Sequence, residues 1–141
     1  MVFWRGEEQF TRAATLIRLA APAEALPHLA AGFAHFRHCG SRHRIAWGLE
    51  LTAQIVVADD PAFATRLWGA VATIRAATGC PMWPIDHPAY DHNIAAARET
   101  LGDVAFDAAW NAGAAMPWET AANEAMAWIA ARRDSGDGMH A

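Results

Sequence analysis

The sequence predicts an all-α fold of about seven helices, arranged as antiparallel hairpins that stack into a short tetratricopeptide-like array. Apolar residues recur at helical spacing in one segment after another, and no segment alternates apolar and polar residues as a half-buried strand does. Proline opens several of these segments and glycine follows several, as is usual at helix starts and ends. We expect residues 1–133 to form one domain and residues 134–141 a disordered polar tail.

Residues 61–78 show the helical pattern most completely. Asp60 is placed to cap the first turn, Pro61 suits the first helical position, and Gly79 is suited to ending the helix. Gly69 lies inside the helix, where glycine costs about 1 kcal/mol relative to alanine. The close approach of a second helix explains this glycine better than a merely tolerated cost. The apolar stripe of the helix consists of Phe63, Leu67, Ala70, Val71 and Ile74.

The other helices are expected on both sides of this one. They span residues 7–21, 22–39, 42–58, 88–101, 103–113 and 117–133. Residues 1–6 form a short lead, in which Phe3 and Trp4 are unusual for a free terminus and are expected to pack against another part of the protein or a partner. Asp86 or His87 is the expected cap of the fifth helix, because both precede its first apolar turn.

Composition narrows the class of protein. Hydrophobic residues make up 54% of the chain and charged residues 18%, which favours a folded domain over disorder. A net charge of −4 does not indicate the excess of positive charge that is typical of proteins that bind nucleic acid or a membrane surface. No apolar run is long enough to span a membrane, and the first residues do not resemble a signal peptide. The sequence contains arginine but no lysine. Together with the many alanines, this is typical of proteins from GC-rich bacterial genomes.

The two cysteines, Cys39 and Cys80, are too few for a disulfide framework and favour a reducing cytoplasm. Each lies at the end of a helix in a pair of segments that can be overlaid. Leu29, Phe36 and Arg37 align with Leu67, Ile74 and Arg75. The shift of about 38 residues lies near the tetratricopeptide and HEAT periods. The alternative is that any two amphipathic helices align this well. In stacked repeats the two cysteines would lie too far apart for a disulfide, so we expect two free thiols.

Residues 61–79 and 90–122 contain a more specific pattern. An R-L-x-G-A helix is followed by a Pro-containing loop, a helix that carries a tyrosine, and then L-G-x-x-x-F-x-x-A-W-x-x-G. The matching residues are Arg66, Leu67, Gly69, Ala70, Tyr90, Leu101, Gly102, Phe106, Ala109, Trp110 and Gly113. Over roughly residues 22–130 the chain resembles the C-terminal tetratricopeptide-like region of large bacterial signalling ATPases. These include LuxR-type and AfsR/MalT-like transcription regulators and related adenylate-cyclase-linked proteins.

This resemblance implies a helical scaffold that binds protein partners or relays a signal. The sequence departs from the family in lacking a G-x-x-x-x-G-K-[ST] phosphate loop and a basic recognition helix after residue 130. The parts that would hydrolyse ATP or bind DNA are therefore missing. The chain is either a stand-alone descendant of the repeat region or a piece of a longer protein.

The proline-rich stretch of residues 79–88 contains the candidate partner-binding residues, Met82 and Trp83. If these side chains are exposed, they can anchor a protein partner. The alternative is that they fold back over the core. A second candidate site is the histidine-bearing face of the second helix. His35 and Cys39 are four residues apart, so they can share a metal ion.

His35 and Cys39 supply only half of a zinc site, and His43 or Cys80 would have to complete it; a solvated polar face is the simpler interpretation. His87 and His92 lie near carboxylates, but no nucleophile accompanies them. We therefore expect a non-enzymatic protein-interaction or assembly module, without cofactor or resident metal, that binds a protein partner or a second copy as a homodimer. The alternative is a small-molecule or metal sensor that uses the histidine faces.

Overall fold

The computed structural model describes the backbone of residues 2–140 and the side chains of residues 5–135. This part of the chain folds into seven α-helices and one short 3-10 turn and contains no strand, which confirms the predicted all-α class. The helices are α1 (Val2–Arg18), α2 (Pro22–Cys39), α3 (Arg42–Val56), α4 (Pro61–Thr78), α5 (His87–Leu101), α6 (Asp103–Ala114) and α7 (Trp118–His140), with the 3-10 turn at Pro84–Asp86. The predicted packing of Phe3 and Trp4 concerns side chains outside the described residues.

The ends of α2 and α4 follow local sequence chemistry as predicted. Each helix has proline at its first position, and each ends at a glycine with positive φ, +70° at Gly40 and +68° at Gly79. The cap of α4 is also confirmed, because the backbone N–H of Phe63 donates to Asp60 Oδ1 at 3.0 Å. Only glycine adopts positive φ at little cost, so the chain reverses here with little strain.

Asp60→Ala is expected to lower the free energy of unfolding by about 1 kcal/mol, because the Phe63 amide loses its acceptor at the helix start. Urea denaturation followed by circular dichroism measures this loss as a lower midpoint at an unchanged slope. Asp59→Ala serves as the neighbouring control. A midpoint for Asp60→Ala equal to that of wild type would show that the cap contributes nothing.

Several helix ends differ from prediction. Helix α1 begins at Val2 rather than at residue 7, because Gly6 lies within the helix, against His35 and Phe36, and does not interrupt it. Helix α7 continues past residue 133 to His140, although disorder of the polar tail 134–141 stays a prediction. Asp86 occupies the cap position of α5 but makes no side-chain cap hydrogen bond. Its carboxylate lies instead 3.4 Å from Arg18 Nη2.

The helices pack as hairpins around one hydrophobic core. Helices α1 and α2 pack closely, as do α3 and α4, and α4 makes its most extensive contact with α6. Helix α7 packs against α2, α3 and α4. A linear repeat array limits contacts to neighbouring repeats, so this long-range packing gives the repeat interpretation no support, and it stays a prediction. Within residues 2–140, no helix combines the length and the apolarity that crossing a membrane requires.

Phe10 occupies the centre of the core at the α1–α2–α3 end. Its ring centroid lies 5.4 Å from that of Phe33 and 5.6 Å from that of Trp47. Gly32 and Gly48 face this ring, and a Cβ on either glycine would come within 2.5 Å of Phe10 atoms. These two glycines therefore make room for an aromatic ring rather than for a turn.

Gly69 and Gly113 bring the backbones of α4 and α6 into contact. A Cβ on Gly69 would lie 2.1 Å from the carbonyl oxygen of Trp110, and one on Gly113 would lie 1.8 Å from that of Arg66. The predicted close approach at Gly69 is thus confirmed. Gly113 was the predicted end of α6, but the helix continues to Ala114 and Gly113 is a packing residue.

Candidate functional site

The segment between α4 and α5, residues 79–86, forms what we call the proline loop. It covers one side of a cleft of about 200 Å³ whose other walls are the first half of α3 and the end of α4. We call this the loop cleft. Its lining residues are His43, Arg44, Trp47, Glu50, Arg75, Cys80, Pro81, Trp83 and Asp86. Aromatic rings and both signs of charge therefore meet in one concave surface.

Three contacts attach the proline loop to three different helices. Arg75 Nη1 of α4 donates to the carbonyl oxygen of Cys80 at 2.9 Å. The ring of Trp83 packs against Trp47 of α3 with centroids 5.6 Å apart, and Asp86 pairs with an arginine near the end of α1. Two prolines in the loop restrict its backbone further. The loop therefore holds its side chains in a defined position.

The two candidate partner-binding residues lie in different surroundings. Trp83 is 57% exposed, and nearby Ile85 is 71% exposed. Met82 is half-buried and lines a separate cavity of only about 10 Å³, together with Trp68 and Tyr90. Trp83 thus presents a large apolar surface while Met82 turns partly toward the core. Partner binding by either residue stays a prediction.

A buried ion pair forms the inner wall of the loop cleft. Glu50 is only 6% exposed, and Arg75 binds both of its carboxylate oxygens, with Nε 3.0 Å from Oε1 and Nη2 2.6 Å from Oε2. Burial raises the pKa of Glu50 above its ordinary value of 4.5, and the hydrogen bonds and charge of Arg75 oppose this rise. The same arginine also holds the proline loop, so one side chain joins α3, α4 and the loop.

The outer wall of the loop cleft is the first turn of α3. Arg44 pairs with Glu7 of α1, and exposed His43 lies beside it. Desolvation lowers the pKa of His43, as does the positive charge of Arg44, while Glu7 acts in the opposite direction. This wall can offer a neutral imidazole and a guanidinium to a bound group near neutral pH.

The arrangement in the loop cleft suits binding. Its charges are balanced, because the lining contains two arginines, Arg44 and Arg75, and two carboxylates, Glu50 and Asp86. Cys80 is exposed, and its Sγ lies 3.7 Å from the carbonyl oxygen of Thr78, which cannot act as a base toward a thiol. Tryptophan and arginine are enriched among the residues that carry most of the binding energy in protein interfaces.

The histidine face of α2 is partly covered by α1. His28 Nδ1 is 2.6 Å from Gln9 Oε1 of α1. Farther along the helix, His35 Nε2 lies 3.7 Å from Cys39 Sγ, so the predicted pair is brought together. Neither His43 nor Cys80 completes it: within the described part of the chain, no group of three or more His, Cys, Asp or Glu could hold a metal ion.

The other predicted features are simple to place. Cys39 and Cys80 are both free and exposed, which confirms the expected thiols. His87 and His92 lie on the exposed surface of α5 and outside the loop cleft.

Sequence reasoning missed the Glu50–Arg75 pair and Trp47. A signal for Glu50 was present, because it is a lone charge within an otherwise apolar run of α3. A charge in such a run is usually paired when it is buried. Nothing local indicated that its partner lies 25 residues away.

Comparison with protein-family models, with curated proteins and with solved structures finds no match to this chain. The resemblance to the repeat region of LuxR-type and AfsR/MalT-like regulators therefore stays a prediction.

Proposed function

We propose that this chain is a non-enzymatic protein-interaction and assembly module whose docking surface is the proline loop together with the loop cleft. The exposed pair Trp83 and Ile85, held beside a concave surface, is the observation that supports this most strongly. A large aromatic residue that is already fixed in place loses little conformational entropy when a partner covers it.

A second copy of the chain is the partner that this surface fits best. A twofold interface must be complementary to itself. The composition of the loop cleft supports this choice, because its lining contains arginines, carboxylates and tryptophans together. A strongly charged partner would instead require a patch of one sign.

The wider setting of the proposed module is bacterial and regulatory, as the resemblance to signalling regulators implies. Its two free exposed thiols are consistent with a reducing cytoplasm.

Self-association measured by sedimentation velocity in EDTA tests the proposed function. We expect the double variant Trp83→Ala, Ile85→Ser to raise the dimer dissociation constant by about 30-fold, the effect of losing an interface hot spot. The control is Leu19→Ser, Val104→Ser, which alters side chains that are 70% and 87% exposed outside the loop. Equal dissociation constants for the two double variants would contradict docking through the proline loop.

A second candidate function is the binding of a small polar molecule in the loop cleft. The converging side chains of His43, Arg75 and Glu50 favour it, because such sites combine an apolar lining with a few placed polar groups. Native mass spectrometry of protein purified without denaturation would show a retained mass that disappears on unfolding. A spectrum of the chain alone would contradict this candidate.

A further inference from the structure

We propose that His35 and Cys39 form half of a zinc site, which the same two residues of a second copy complete. The two side chains lie one turn apart at the end of α2, with His35 Nε2 3.7 Å from Cys39 Sγ. Imidazole nitrogen and thiolate sulfur are the ligands that Zn²⁺ prefers in proteins. The inference rests on the proposed function in one respect, since the partner is again a second copy.

The separation of the two ligand atoms fits a tetrahedral zinc ion. Zn–S bonds of about 2.3 Å and Zn–N bonds of about 2.0 Å, at a tetrahedral angle, place sulfur and nitrogen about 3.5 Å apart. The observed 3.7 Å is close to this value. The separation of these two atoms therefore fits one zinc ion bound by both.

The imidazole of His35 is held in place by its neighbours. Its Cδ2 lies against Gly6 of α1, where a Cβ would come within 2.3 Å of it, and its ring packs edge-on against Phe36 at 4.9 Å. Cys39 is exposed beside it. One ligand is thus fixed and the other is accessible, so an ion can enter from solvent.

A second copy is needed because one chain supplies too few ligands. Structural zinc sites are four-coordinate, and the described residues of one chain offer no third His, Cys, Asp or Glu at this position. Two chains related by a twofold axis would give two imidazoles and two thiolates around one ion.

The half-site and the proposed docking surface lie at the same end of the helices. Only the turn at Gly40 separates Cys39 from α3, whose first turn carries His43 of the loop cleft. A second copy that docks at this end can therefore approach both surfaces.

Native mass spectrometry and sedimentation velocity, with one Zn²⁺ added per two chains or with EDTA, test the site. We expect one zinc per dimer and a dimer dissociation constant that falls at least tenfold with zinc. Cys39→Ser and His35→Asn should each remove this zinc effect, since loss of even a supporting group costs roughly 10–100-fold in metal affinity. His38→Asn, which alters a neighbouring exposed imidazole outside the loop cleft, should keep it.

The outcomes separate this site from the proposed docking surface. Absence of bound zinc, one zinc per monomer, or a dimer equally stable in zinc and EDTA would overturn the zinc site. If such a zinc-independent dimer is weakened by Trp83→Ala, Ile85→Ser, the proposed function still stands. If the dimer forms only with zinc and its dissociation constant is the same in the Trp83→Ala, Ile85→Ser variant, the result would support the zinc site and contradict docking through the loop.

Discussion

Gly113→Ala is expected to lower the free energy of unfolding by about 3 kcal/mol, the upper end of the usual cost of overpacking. The new Cβ would lie 1.8 Å from the carbonyl oxygen of Arg66, so the backbones of α4 and α6 would have to separate. This change is opposite in direction to the usual one, because replacing glycine with alanine inside an unobstructed helix stabilises the helix by about 1 kcal/mol.

The midpoint of urea denaturation measures this loss. Ala112→Gly is the control, since it alters the neighbouring exposed position of α6 and should cost only about 1 kcal/mol through helix propensity. A Gly113→Ala variant as stable as wild type would contradict the close contact between α4 and α6.

Arg75→Met is the second change with a large expected effect, a loss of about 3 kcal/mol at pH 7. It leaves the Glu50 carboxylate buried without the guanidinium that binds both of its oxygens. The exposed pair of Arg12 and Glu8 provides the control, and Arg12→Met should cost less than about 1 kcal/mol.

The loss in Arg75→Met should depend on pH in a defined direction. Burial already raises the pKa of Glu50, and the variant lacks the interactions that oppose this rise. A raised pKa in the folded state favours the protonated form, so the stability that protonation gives is lost as pH rises through that value. The variant should therefore approach wild type as pH falls from 7 toward the ordinary pKa of 4.5. Urea midpoints of both proteins at several pH values measure this, and a difference independent of pH would contradict it.

Helix ends set by local chemistry could be predicted from the sequence. Pro61, Asp60 and Gly79 each act on the backbone within a few residues, and the structure places all three as expected. The start of α1 was predicted too late because Gly6, the last residue of the predicted lead, lies inside the helix. Periodicity places a helix well but says little about its unmarked ends.

Contacts between distant segments could not be predicted in this way. Glu50 and Arg75 come from different helices, and nothing in the sequence around either residue identifies the other as its partner. Gly113 has the sequence appearance of a helix end, and only the position of α4 gives it a packing role. The candidate site was found in part, since the proline loop and Trp83 stand out by composition while the cleft beneath them depends on tertiary structure.

The most direct test of docking through the proline loop is hydrogen–deuterium exchange of wild-type protein in EDTA at a low and a high concentration. Amides that a second copy covers exchange more slowly when the dimer is populated. We expect slower exchange at high concentration in residues 79–86, and no change around exposed Val104 on α6. Loop exchange that is the same at both concentrations, while dimer is present, would contradict the proposed docking surface.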